Sequence, residues 1–271
     1  MKNLLILLIL VSNLLSYEIV NGDVEILKVD KNSAGKLYID KKELFWFTNP
    51  ANKDEKVAFV SSNYRAKNDI VVKSIVDDKE QILTFKVIKG DYKQEKLTVE
   101  KSKVKPPKTV QERIKKELEE ANKIYLSTTK TLLFNSKFTL PINSKITSDF
   151  GNARVFNNTL SSYHSGTDFR AAVGSTIKAC NSGVVKLAKD RYYAGGSVVI
   201  DHGAGIYSQY YHLSKIGVKV GQTVKKGEVI GLSGASGRVN GPHLHFGIIV
   251  NGNSVNPTDF IEKINFALFD R

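Results

Sequence analysis

With one cysteine, Cys180, in 271 residues, the chain cannot form an intrachain disulfide, and its fold does not depend on one. Cys180 closes the apolar, strand-like stretch Thr176-Ile177-Lys178-Ala179-Cys180. That is the setting of a buried, inert residue rather than a nucleophile or a ligand. An H-E-x-x-H is also missing, so no helix carries a metal-binding histidine pair with a glutamate base beside it. No arginine-rich or aromatic-interleaved segment marks a nucleic-acid surface, and no nucleic-acid partner is expected. The formal net charge of +13 would attract polyanions in general, but the lysines are scattered and read as solvated faces.

Long apolar runs are absent except at the start. Met1-Lys2-Asn3 is followed by an almost unbroken Leu/Ile/Val run over residues 4–15, then by Ser16-Tyr17. This is the layout of a secretory leader, assigned to residues 1–16. The run is short for a membrane span. The cut site lacks an A-x-A pattern, so an uncleaved anchor is the alternative and the only expected route to a membrane. No cysteine there could carry a lipid.

The remainder is long enough for two domains, and its 41% hydrophobic and 25% charged content suits a folded protein. Residues 17–104 read as a small antiparallel β-sandwich or barrel. Glu25–Val29, Gln81–Ile88 and Glu95–Val99 alternate, separated by turns such as Asn21-Gly22-Asp23 and Lys89-Gly90-Asp91. No residue set in this part looks catalytic, which suits an interaction or positioning module open to protein partners. Lys105-Pro106-Pro107-Lys108 marks a boundary. A linking helix is expected within residues 105–137, with Thr109 as N-cap, Glu112 completing a capping box, and Ile114, Leu118, Ala121 and Tyr125 on one face up to about Ser127. Residues 138–271 alternate strand-sized apolar runs with glycine turns, as in an all-β domain with little helix.

All 5 histidines fall in residues 138–271, and four of them, His164, His212, His243 and His245, fall where zinc chemistry would want them. His164 and Asp168 are four apart, roughly 13 Å on a straight strand, so Gly166 must bend the backbone if they are to share an ion. His243 and His245 flank Leu244, and strand alternation puts both imidazoles on one face. Two histidines and a carboxylate complete the protein ligands of a catalytic zinc with one position open. His212 follows Tyr210-Tyr211, and spacing alone does not join it to the others. His202, in Asp201-His202-Gly203, reads as structural.

These motifs, in this order, resemble the lysostaphin and LytM type of zinc endopeptidase. The resemblance runs through Ile146-Thr147-Ser148-Asp149-Phe150-Gly151, His164-Ser165-Gly166-Thr167-Asp168-Phe169, Val198-Val199-Ile200-Asp201-His202-Gly203, Tyr211-His212-Leu213-Ser214, the Val220–Gly231 run, and Gly241-Pro242-His243-Leu244-His245-Phe246. It implies an open groove lined by antiparallel strands, one Zn²⁺ per chain held by His164, Asp168 and His245, and His212 and His243 as the non-ligand catalytic pair. It also implies a cell-wall peptide substrate. Gly195-Gly196-Ser197 departs from the Gly-Asn of many relatives, in a turn. The leader, first domain and helix resemble the cell-shape peptidases of helical Gram-negative bacteria such as Campylobacter and Helicobacter. That implies a periplasmic enzyme cutting between D-alanine and meso-diaminopimelate, with carboxypeptidase activity as a further expectation. The alternatives are a non-catalytic wall-binding activator and, from Val220–Glu228, a lipoyl-type carrier hairpin, for which the chain lacks the customary lysine–methionine pair. A regulatory expectation is that the segment before Phe138 lies across the groove and offers a carboxylate or amide to the metal.

Overall fold

The computed structural model describes residues 15–76, 79–97, 106–156 and 160–270. The leader's residues 1–14, the end of the strand expected at Glu95–Val99, and the Lys105 edge of the proline boundary lie outside them. The protein is mainly β, as expected.

Among the described residues, nine strands precede residue 98: β1 (Leu15–Val20), β2 (Val24–Asp30), β3 (Lys36–Ile39), β4 (Lys42–Leu44), β5 (Phe47–Asn49), β6 (Asn52–Ser61), β7 (Ile70–Val76), β8 (Lys79–Ile88) and β9 (Gln94–Leu97). One sheet runs β1-β8-β7-β3-β4 and a second β2-β6-β5, so both are open and neither closes a barrel. The expected antiparallel pattern fails within the first sheet. β1 runs parallel to β8, with Tyr17 opposite Phe85. The two strands are far apart in sequence, so no hairpin dictates their direction.

Strand β6 explains how this sandwich joins the rest. Ala58 and Val60 pack with Leu27, Leu37 and Phe85 between the two sheets. Val57 and Phe59 face the other way, into a cluster with Phe246, Phe260 and Ile264. A strand covered on both faces reads as an unbroken apolar run, which is what Val57-Ala58-Phe59-Val60 is. Polar ties reinforce the contact: Ser61 Oγ donates to the Val250 carbonyl at 2.8 Å, and Asn251 Nδ2 to the Phe59 carbonyl at 2.8 Å.

The linking helix, α1, spans Lys108–Tyr125. Pro107 is its N-cap and no side chain caps it, so Thr109 lies inside the first turn and the expected capping box does not form. Proline's fixed φ suits the entry to a helix. Ala121 is buried on the expected face, with Ile114 and Tyr125 half-buried, but Leu118 is exposed and Glu117 is buried in its stead. Polar pairing decides this. Glu117 takes a hydrogen bond from Arg113 Nε at 2.6 Å and another from the Tyr192 backbone N–H at 2.9 Å.

The last part contains β10 (Ile146–Ser148), β11 (Ala153–Phe156), β12 (Leu160–Tyr163), β13 (Thr167–Arg170), β14 (Thr176–Lys178), β15 (Gly183–Arg191), β16 (Gly195–Asp201), β17 (Ile206–Ile216), β18 (Thr223–Val224), β19 (Val229–Ser233), β20 (His243–Val250) and β21 (Asn253–Val255). The main sheet runs β10-β13-β20-β17-β16-β15-β18. A small sheet, β12-β11-β9, includes β9 from before the linker, parallel to β11. Leu244, Phe246, Ile248 and Val250 of β20 alternate into one fully buried face. Each such side chain contributes roughly 1.5–3 kcal/mol by leaving water. The reading of little helix missed α2, Pro257–Phe269, which buries Phe260, Ile264, Ala267 and Leu268. Its signals were legible: Asn256 caps the Thr258 N–H, with Pro257 at the first position and Asp259 in the first turn.

Two residues read as structural lie in this core. Cys180 is fully buried, and burial pushes its thiol up to about 11. His202 packs edge-on against Phe138 and donates from Nδ1 to the Ser182 carbonyl at 2.7 Å.

Candidate metal centre

A row of residues crosses four neighbouring strands. Ser148 of β10 is opposite Asp168 of β13, Asp168 is opposite His245 of β20, and His245 is opposite Tyr211 of β17. Directly opposed residues share a face with Cβ atoms about 4.5–5.5 Å apart, so sheet register alone brings Asp168 to His245. His164 arrives from the bend between β12 and β13. Gly166 serves that bend and a close approach: a Cβ there would lie 2.5 Å from the Phe246 carbonyl oxygen and 2.7 Å from His245 Nε2.

His164 Nε2, Asp168 Oδ1 and His245 Nδ1 converge, with separations of 2.8, 2.9 and 3.0 Å, and all three residues are buried. His164 Nδ1 lies 2.8 Å from the Asp149 carbonyl, which can only accept, so Nδ1 carries the proton and Nε2 presents a lone pair. His245 is pushed down to about 4, chiefly by burial, and is neutral near pH 7. Burial works against ionisation of Asp168, but hydrogen bonding and charge interaction with His164 and His245 outweigh it and hold the carboxyl well below its ordinary range. With a cation at that point in place of the shared protons, His164 Nε2, Asp168 Oδ1 and His245 Nδ1 would each turn a lone pair to it. Tetrahedral zinc with ~2.0–2.1 Å bonds spaces its ligand atoms about 3.3 Å apart, so a few tenths of an ångström of opening admits it. The set fits zinc.

His243 and His245 share a face, and Leu244 between them is fully buried on the other. His243 Nε2 is 3.7 Å from Asp168 Oδ1, while its Nδ1 donates to the Gly241 carbonyl at 2.9 Å. His212 reaches the same place by an irregular route. In a regular strand it would point away from its neighbour Tyr211. It instead has φ of +63°, beside a register shift between β16 and β17, and its ring lies 4.8 Å from that of His243. A non-glycine residue held in this region is sustained only by its surroundings. Here the His212 N–H donates to the Ala194 carbonyl, and Nδ1 to the Ser236 carbonyl, both at 2.8 Å. Burial, then the charges of His243 and His245, lower His212 to about 3.

The five residues line one groove of about 710 Å³. Its walls include Ile114 and Leu118 of α1, Tyr163 of β12, and Arg191, Tyr193, Arg238 and Asn240. Arg191 sits 5.7 Å from the Tyr211 ring, which stacks on His245 at 5.3 Å. Sequence reasoning missed Glu95 and Arg154. Arg154 Nη2 donates to Asp168 Oδ2 at 2.8 Å, and Arg154 Nε to Glu95 Oε2 at 3.1 Å. The segment before Phe138 was expected to offer a carboxylate to the metal. Among the described residues of that segment, the carboxylates of Glu95 and Glu117 reach the groove, and neither is part of the metal cluster; Glu95 pairs with Arg154.

The model of peptidase family M23 matches residues 162–257. Over 93 residues the chain is 50% identical to peptidoglycan DD-endopeptidase ShyA of Vibrio cholerae, covering 34% of this chain and 22% of ShyA. Over 94 residues it is 39% identical to DD-carboxypeptidase/endopeptidase Mpg of Neisseria meningitidis, covering 35% of this chain and 22% of Mpg. The matched stretch thus spans under a quarter of either relative. A Pseudomonas aeruginosa crystal structure assigned to peptidase M23 is similar at a TM-score of 0.68 and 28% identity, over 89% of this chain and 94% of that one. Coverage that wide reaches well beyond residues 162–257, into the strands before them.

Proposed function

From the premise that this chain carries a peptidase family M23 domain, we propose that it is a zinc metallopeptidase that cuts peptide cross-links of bacterial peptidoglycan. The bond is that between D-alanine and meso-diaminopimelate, with D,D-carboxypeptidase trimming as a second activity and wall remodelling and cell shape as the role. The observation that carries this is the convergence of His164 Nε2, Asp168 Oδ1 and His245 Nδ1 in a groove that also holds His212 and His243. The substrate class is supported by the relatives' peptidoglycan activities. It is supported as well by Arg191 and Arg238 along the groove, since guanidinium groups suit the carboxylates that wall peptides carry. Export to the periplasm rests on the leader at residues 1–16.

His164, Asp168 and His245 would hold the ion. Bound zinc supplies the Lewis acidity that lowers the pKa of a water toward ~7 and polarises the scissile carbonyl. The proton work falls to His212 and His243. With Nδ1–H of each tied to a backbone carbonyl, each offers Nε2 as the acceptor. One imidazole takes the proton of the attacking water and returns it to the leaving amine, and the other donates to the developing oxyanion once protonated. Arg154 pairs with Asp168 Oδ2 and leaves Oδ1 facing His164 and His245.

The test is mass spectrometry of muropeptides released from sacculi by the pure protein, with and without a chelator. Chelator-sensitive release of cross-link-cleaved dimers is expected. A zinc-loaded protein that leaves sacculi intact would make it the non-catalytic activator instead.

A further inference from the structure

We propose that strand β9 is a working part of the metal centre, with Glu95 the positioning residue that sets Arg154 against Asp168. The inference rests on the zinc-site assignment above and adds a residue outside the matched span 162–257.

Both carboxylate oxygens of Glu95 are engaged. Glu95 Oε1 accepts from Ser148 Oγ at 2.8 Å and from Asn152 Nδ2 at 2.7 Å, and Oε2 accepts from Arg154 Nε at 3.1 Å. Arg154 Nη2 then reaches Ser148 Oγ at 3.0 Å and Asp168 Oδ2 at 2.8 Å. Asp168 is therefore held by one oxygen and presents the other to His164 and His245. The side chains are mostly shielded, at 23% exposure for Glu95, 17% for Arg154 and 9% for Asp168, so their interactions are only partly screened. Charge matters as much as orientation. An Arg154 paired with Asp168 alone would draw on the carboxylate's charge and compete with the metal for it. Glu95 shares the guanidinium and leaves Asp168 the stronger ligand.

The backbone is built to deliver this group. β9 pairs in parallel with β11, from Gln94 opposite Ala153 to Leu97 opposite Phe156, and the Ala153 N–H donates to the Lys93 carbonyl at 2.7 Å. Two residues before β9, Tyr92 braces the other ligand. Its ring packs on Gly151, where a Cβ would come within 2.2 Å, and the Gly151 N–H donates to the His164 carbonyl at 2.8 Å. Asp149, two residues from Gly151, supplies the carbonyl that fixes the His164 ring. Residues 92–95 thus support the outer partners of both His164 and Asp168. Such partners typically govern metal affinity by 10–100-fold.

The test uses the full chain, with zinc affinity read by competition with a chromophoric chelator and folding read by the urea midpoint of the chelator-treated protein. E95Q is expected to bind zinc about 10–100-fold more weakly, with a metal-free midpoint close to that of the parent. R154Q should weaken zinc binding similarly, and the E95Q/R154Q double variant should be no weaker than R154Q, because Glu95 acts through Arg154. Unchanged zinc affinity in E95Q, or losses that add in the double variant, would overturn the proposal. If E95Q does not fold, E95D withdraws the carboxylate by about one bond length and is read by the same criteria. Failure of the functional reading looks different: the parent binds zinc tightly and sacculi survive.

Discussion

Acidification of the metal-free protein tests the burial of its imidazoles. Burial lowers His202 to about 4, His212 to about 3 and His245 to about 4, against an ordinary 6.5. Between pH 6.5 and 4.5 each is protonated in the unfolded chain and neutral in the folded one. Unfolding therefore takes up protons, and stability present above pH 6.5 is lost as pH falls toward the folded values. At about 1.4 kcal/mol per unit, three groups over two pH units give a loss on the order of 6 kcal/mol. Glu25, whose carboxyl burial pushes up, works in the opposite direction and trims this loss. Asp168, held low, adds its share only below its ordinary 3.8. A loss on this scale rivals the whole stability of many domains. The assay is the urea midpoint of chelator-treated protein at pH 6.5, 5.5 and 4.5. A midpoint that does not move would mean that the folded protein lets these imidazoles charge in place, and would refute the argument from burial.

The site makes further predictions. His245→Ala should abolish stoichiometric zinc binding and sacculus cleavage together, whereas His212→Ala and His243→Ala should keep zinc and lose activity by ~10²-fold or more. Normal cleavage by His212→Ala would end its catalytic role. Gly166→Ala should weaken zinc binding, because its methyl would press on the Phe246 carbonyl and the His245 ring; unchanged affinity would show that the bend gives way at no cost. Removing residues 1–137 should lower activity rather than raise it, since the cut takes away Glu95 and the α1 wall of the groove. A more active fragment would revive occlusion as the role of that segment.

Local pattern in the chain accounts for much of this. The i, i+2 spacing of His243 and His245 dictates a shared face because strand side chains alternate, and Leu244 is buried between them as that rule requires. The alternating runs at Glu25–Val29 and Gln81–Ile88 fall in β2 and β8 for the same reason. Helix α2 was equally available from Asn256-Pro257-Thr258-Asp259, but a long run of strand-like segments before it hid its start. The burial of Glu117 in place of Leu118 on α1 was not legible from apolar spacing, because Glu117 is drawn in by the Arg113 side chain and a backbone N–H on another segment.

By itself, then, the sequence determined the residue types of the site and the pairs that local geometry links, since alternation and turn chemistry act over a few residues. Tertiary structure decided the rest. The register of β13 on β20 sets Asp168 beside His245, and the left-handed turn at His212 brings its ring to His243. The parallel docking of β9 carries Glu95 to Arg154. Each of these joins segments far apart in the chain, where pairing depends on how whole sheets pack and leaves no local trace in the order of residues.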